Sequence, residues 1–159
     1  PGTTVEILIP DFGGSTEAVQ TVVESKPDVF NYNLETVPRL YQQVRPHARY
    51  GRSLGVLRSA KDQDGGLLTK SGLMVGLGED ESEVLQVMSD LRAAGCDMLT
   101  IGQYLRPSRE HLPVVEYIHP DRFERYGKLG EEMGFIHVAS APLARSSFNA
   151  EEALEKKPG

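Results

Sequence analysis

Cysteine is almost missing from this chain of 159 residues: Cys96 stands alone. One thiol excludes an internal disulfide framework and any metal site built from the chain's own cysteines. Basic residues are outnumbered, 17 Lys and Arg against 23 Asp and Glu, for a net charge of −6 and a pI near 5.2. That balance argues against a nucleic-acid partner held by bulk charge, because phosphate neutralisation needs a basic face. No uncharged apolar run approaches the ~20 residues of a membrane helix, so no membrane role is expected. No basic-then-apolar leader stands at the front. No internal repeat and no Rossmann glycine fingerprint is present. No Ser–His–Asp spacing stands out, and the four histidines, His47, His111, His119 and His137, form no His-x-x-x-His pair. What is there is 39% hydrophobic and 25% charged residues, the composition of one globular domain. The chain opens at Pro1 and enters a strand almost at once, so it reads as a piece of something longer.

Strand and helix signals alternate. Val5–Ile9 is a β-rich run, and Ser15 caps a helix to about Ser25. Val29–Asn33 is the second strand. Thr36 is expected to cap the next helix, with Pro38 in its first turn, and a further helix runs from about Ser53 to Lys61. Residues 69–76 form a nearly apolar third strand, as in parallel strands covered on both faces. Asp80 and Glu83 make a capping box, Val84, Leu85, Met88, Leu91 and Ala94 follow helical spacing, and Gly95 closes that helix. Asp97–Ile101 is strand four. Pro120 opens a helix bearing Phe123, Tyr126, Leu129 and Met133, and Phe135–Ala139 is strand five. Asn149 and Glu152 form a capping box for a short last helix.

Strands separated by helices, without a dinucleotide fingerprint, predict an α/β fold: part of a β/α (TIM-like) barrel, with parallel strands and outer helices. Residues 1–150 are read as this partial barrel and 151–159 as a frayed tail. An unclosed barrel is expected to expose apolar strand surface at its open edge. Chemistry in such barrels lies at the C-terminal strand ends. Those ends hold Asn31, Asn33 and Glu35 after strand two, Glu79 after strand three, Gln103, Tyr104 and Arg109 after strand four, and Arg145, Ser146 and Ser147 after strand five. Amides and hydroxyls dominate, with few bases. The set suits holding a polar cofactor better than hydrolysis. Cys96, beside the helix end at Gly95, is read as a small buried filler.

Four segments in order, residues 27–41 (PDVFNYNLETVPRLY), 69–79 (TKSGLMVGLGE), 98–109 (MLTIGQYLRPSR) and 145–148 (RSSF), resemble lipoyl synthases, a family of radical S-adenosylmethionine enzymes. The likeness runs from about Val5 to Ala150 and corresponds to the C-terminal part of such an enzyme. It implies sulfur insertion. Two sulfur atoms enter an octanoyl chain on a lysine of a carrier domain, at carbons six and eight. One 4Fe–4S cluster splits S-adenosylmethionine to a deoxyadenosyl radical, and a second, auxiliary 4Fe–4S cluster donates sulfide.

The resemblance also implies roles. Gly72, Met74, Gly76 and Glu79 match the family's Gly-x-Ile-x-Gly-x-x-Glu strand, which holds the adenine against backbone; Met74 stands for Ile. Asn31, Asn33 and Glu35 match its His-Asn-Leu-Glu stretch and are assigned to ribose hydroxyls or the methionine amino group. Tyr32 replaces the His. Lys70 is assigned to the methionine carboxylate, and Gln103 and Tyr104 to cofactor, acyl chain or carrier. Arg145-Ser146-Ser147-Phe148 matches Arg-Ser-Ser-Tyr, in which one serine, here Ser146 or Ser147, ligates the auxiliary cluster and Arg145 orients it. The family's cluster cysteines lie before the matched region, so this chain alone is expected to be inactive. Implied partners are an octanoylated lipoyl carrier domain or glycine-cleavage H protein and an electron donor such as ferredoxin or flavodoxin, in the cytoplasm. The competing readings are a non-catalytic module that binds a lipoyl carrier domain and an unrelated β/α-barrel lyase or isomerase using Glu35, Glu79 and Lys70.

Overall fold

The computed structural model describes residues 3–146. Five strands, β1 (Glu6–Leu8), β2 (Val29–Asn31), β3 (Leu68–Val75), β4 (Met98–Gln103) and β5 (His137–Ser140), form one sheet. Every pairing is parallel, and the strand order follows the chain order. Helices α1 (Thr16–Glu24), α2 (Tyr41–Val44), α3 (Tyr50–Gln63), α4 (Glu81–Ala93) and α5 (Pro120–Glu132) fall between strands. Right-handed crossovers in sequential order place all helices on one face of the sheet. This is the winding of a β/α barrel, over part of its circumference. No helix among the described residues is long and apolar enough to cross a membrane.

Local chemistry sets the helix ends. The Ser15 hydroxyl accepts from the Ala18 N–H at 3.2 Å. The Glu83 carboxylate accepts from the Asp80 N–H at 2.9 Å and is gripped from outside by Arg39 at 2.7 Å. Gly95 ends α4 at φ +83°, letting the Cys96 N–H return to the Leu91 carbonyl at 2.9 Å. Thr36 caps nothing, which corrects the expectation. Glu35 bridges to Leu73 in parallel, so the chain stays pinned to β3 right up to Thr36, whose buried hydroxyl meets no partner among the described residues. The turn that follows, Pro38–Leu40, starts after Val37 with Pro38 first. Helix α3 starts three residues earlier than expected, at Tyr50, whose hydroxyl donates to Asp90 of α4 at 2.7 Å.

Alternation along the strands divides the sheet. Phe30, Leu73, Val75, Leu99 and Ile101 point to the helices and join Val19, Leu57, Val87, Leu91, Phe123 and Tyr126 in the main core. The opposite face is layered. At the N-terminal end of the strands Val29, Leu68 and Met98 make a small apolar cluster. Above them lie Glu6, Asn31 and Lys70, and above those the cleft. On β1, Leu8 is 62% exposed, in line with apolar surface at an open edge.

Candidate functional site

An open cleft of about 220 Å³ lies at the C-terminal ends of β2, β3 and β4. Its floor is Gly72–Met74, its sides are Asn33, Glu35, Thr100, Gly102 and Gln103, and its far wall is Leu105 with Ala144–Ser146. Two glycines shape it. A Cβ on Gly72 would lie 2.6 Å from the Asn33 Oδ1. A Cβ on Gly102 would collide with the Ala144 carbonyl and sit 2.9 Å from an Arg145 guanidinium nitrogen. Glycine at these positions lets one segment cross another at van der Waals distance. The segment after β5 thereby folds back over β4 and closes the cleft.

The polar groups are disposed unevenly. The Asn33 amide donates to the Ser146 Oγ at 3.1 Å. The Asn33 Oδ1 and the Thr100 Oγ1 are buried and meet no partner among the described residues. Buried polar atoms are seldom left unpaired, and both residues belong to the lining of this one cleft. Glu35, at φ +70°, sits in the same wall. Burial pushes its carboxyl above the ordinary carboxylate range, against the opposing pull of the Arg45 guanidinium and the Asn33 amide. Arg45 braces that turn. It donates to the Asn33 carbonyl at 2.9 Å and lies over the Tyr32 and Tyr41 rings, 5.4 and 5.8 Å from their centroids.

Of the residues singled out from sequence, Asn33, Glu35, Gly72, Met74, Gln103, Arg145 and Ser146 line the cleft. Ser147 lies outside the described residues, as do Asn149 and Glu152. The others do different work. Asn31 donates to Glu6 Oε1 at 2.7 Å, one layer below. Lys70, assigned to a ligand carboxylate, instead meets both Glu6 oxygens, at 3.1 and 3.0 Å, and the Ser146 carbonyl. An ammonium has three donors, and all three are taken. The Glu79 carboxylate accepts from the Gly76 N–H at 2.6 Å and the Leu77 N–H at 2.9 Å, clipping the turn after β3. Gly76, at φ +103°, packs under the Gln103 amide. Gln103 touches the cleft, yet its amide is spent on the Tyr104 and Glu116 carbonyls, each at 3.0 Å, and on the Ile118 N–H at 2.9 Å. Tyr104 is buried, with its hydroxyl donating to the Leu112 carbonyl at 2.9 Å. Tyr32 turns to the helix layer, where its hydroxyl meets Ser53 at 2.9 Å.

Thr100, Gly102, Leu105 and Ala144 also line the cleft, and sequence reasoning gives none of them a role. Two signals were available: Gly102 is a glycine inside a strand run, a mark of close backbone approach, and Thr100 shares its face by alternation.

Among the described residues no group of three or more His, Cys, Asp and Glu side chains stands ready to hold a metal ion. Cys96 is buried beneath the sheet, its thiol on the Met98 carbonyl at 3.3 Å. These residues do not fit a cysteine-ligated iron–sulfur cluster. The cleft lining, strand backbone with amide, hydroxyl and carboxyl side chains, is a donor and acceptor set that fits an adenosyl-type ligand.

No protein-family model matches the chain. Curated relatives do. Lipoyl synthase of Caldanaerobacter subterraneus subsp. tengcongensis is 59% identical over 159 residues, which is 100% of this chain and 56% of that protein. Lipoyl synthase of Rubrobacter xylanophilus is 61% identical over 155 residues, 98% of this chain and 48% of that protein. That of Alkaliphilus metalliredigens is 57% identical over 154 residues, 97% and 53%. The chain spans about half the length of the curated relatives it matches. At 57–61% identity over almost all of its residues, the chain corresponds to one part of these lipoyl synthases.

Proposed function

We propose that this chain supplies the cofactor-facing part of a lipoyl synthase active site. The full reaction inserts two sulfur atoms, at carbons six and eight of a protein-bound octanoyl chain. The observation that carries the reading is the pair of buried, unpartnered acceptors, Asn33 Oδ1 and Thr100 Oγ1, at the barrel-mouth cleft of a chain so close to these relatives. When bound, S-adenosylmethionine supplies the one-electron chemistry that removes a hydrogen from an unactivated carbon.

The chain's own residues bind and orient. The Gly72–Met74 strand backbone offers a seat for an adenine ring. Asn33 and Thr100 accept hydrogen bonds from ribose hydroxyls. The Glu35 carboxylate faces an amino group, and a cationic partner there favours its ionised form. Leu105, on the rim and 45% exposed, offers hydrocarbon surface to an acyl chain. The cysteines that hold the two 4Fe–4S clusters belong to the portion of the relatives that this chain does not span, so the isolated chain is inactive and takes up no more than trace iron on anaerobic reconstitution. An octanoylated carrier domain or H protein and a ferredoxin- or flavodoxin-type donor are the partners, in the cytoplasm.

The test is a chimera. The chain replaces the matching region of the Caldanaerobacter protein, and lipoyl formation is followed on an octanoylated carrier domain. Turnover supports the reading. A folded, cluster-loaded chimera that makes no lipoyl product, beside an active parent, overturns it.

A further inference from the structure

One set of charged residues on the inner face is left over once the cleft is described. Lys70 is only 4% exposed. Its ammonium joins Glu6 of β1 to the carbonyl of Ser146, 76 residues further along the chain. Glu6 also accepts from Asn31, and Ser146 accepts at its hydroxyl from Asn33. Asn31 and Asn33 belong to the same strand end, so the contacts close into a ring: Asn31, Glu6, Lys70, Ser146, Asn33.

We propose that Lys70 is a positioning residue for Ser146, its ammonium aimed by Glu6 and holding the Ser146 carbonyl so that the hydroxyl presents to Asn33 and the cleft. The ring gives the reason. A hydroxyl held by one hydrogen bond swings about it; a residue fixed at its carbonyl as well has its direction set. Among the described residues the main chain of this segment is last tied to β4 where the Gln103 N–H donates to the Pro142 carbonyl at 3.1 Å, so beyond that point Lys70 and Asn33 are what fasten Ser146 to the sheet. The relevance to catalysis rests on the reading of the cleft as the cofactor site; the fastening itself does not.

Limited trypsin digestion of the whole chain reads the fastening directly, because Arg145 precedes Ser146. In Lys70→Met, cleavage after Arg145 is expected to quicken about ten-fold or more, since proteolysis follows local opening, while cleavage at Arg49 and Arg58 keeps its rate. Lys70→Arg, which keeps a donor and a charge, stays near the parent rate. Glu6→Gln, which leaves the ammonium with a neutral partner, falls between and serves if Lys70→Met does not fold. A folded Lys70→Met, or in its place Glu6→Gln, cleaved after Arg145 at the parent rate overturns the proposal. Titration with S-adenosylhomocysteine is the second readout. Weaker binding by Lys70→Met with parent-like binding by Lys70→Arg supports the positioning role. A parent chain that binds no S-adenosylhomocysteine removes the cofactor reading, and the digestion still decides on Lys70.

Discussion

The carbonyl of Ala144 occupies the space that a side chain on Gly102 would need. Residues 42 positions apart in the chain thus meet backbone to backbone, and the far wall of the cleft exists because one of them has no Cβ.

Gly102→Ala is therefore expected to lift the Ala144–Ser146 segment off β4. Overpacking of this kind costs about 1–3 kcal/mol, seen calorimetrically as a fall of about 2–4 °C in Tm per kcal/mol for a domain near this size. A variant melting with the parent would show that the crossing is looser than described.

Gln103→Leu keeps the volume of the side chain and loses its hydrogen bonds. The Ile118 N–H and the Tyr104 and Glu116 carbonyls lose their partner. Each buried polar group left unsatisfied costs about 1–3 kcal/mol, so the urea midpoint should drop well beyond that of a surface control such as Gln20→Leu. An equal drop in the two would remove Gln103 as the buckle of the 104–118 loop.

Glu35 makes stability depend on pH in a stated direction. Its folded value is raised above the ordinary value of 4.5, so the folded state holds the proton more tightly than the unfolded. The stabilisation is complete below the unfolded value and is lost as pH rises through the folded one. Glu35→Gln should flatten the profile of urea midpoint against pH across the mildly acidic range. Parallel profiles for parent and variant would mean that the carboxyl is better solvated than its burial suggests.

Cys96 should be chemically silent. It is fully buried, and burial with the neighbouring Asp97 pushes its thiol up to about 12. With Ellman's reagent at mildly alkaline pH, the native chain should release almost no chromophore and the urea-unfolded chain one equivalent. Rapid release from the native chain would place Cys96 at the surface.

The helix-facing half of this fold is legible in the sequence. Its signals are local: Ser15 at a helix start, Glu83 three residues after Asp80, Gly95 at a helix end, apolar side chains at helical spacing. Strand positions shift by a residue or two, as for β2, which ends at Asn31 and leaves Asn33 and Glu35 on an irregular tail bridged to β3. The inner face is read less well. Lys70 looks like a ligand group until β1 is set beside β2 and brings Glu6 opposite Val29 in register. Glu79 matches a family motif, yet it works on the main chain of its own turn. Thr100 is one threonine among several until register places it against Gly72. Such identities depend on which residues of distant segments end up abreast, and no window of neighbouring residues carries that information.

The ring through Asn31, Glu6, Lys70, Ser146 and Asn33 also sets an order in time. Its links reach across 25, 64, 76 and 113 residues, whereas the helices that cover the sheet close over three or four. Contacts of such long span form late on a folding route. Weakening them should leave the refolding rate nearly unchanged and speed unfolding. The cleft is then the last part of the molecule to take shape and the first to be given up, and Lys70 governs its lifetime as well as its shape.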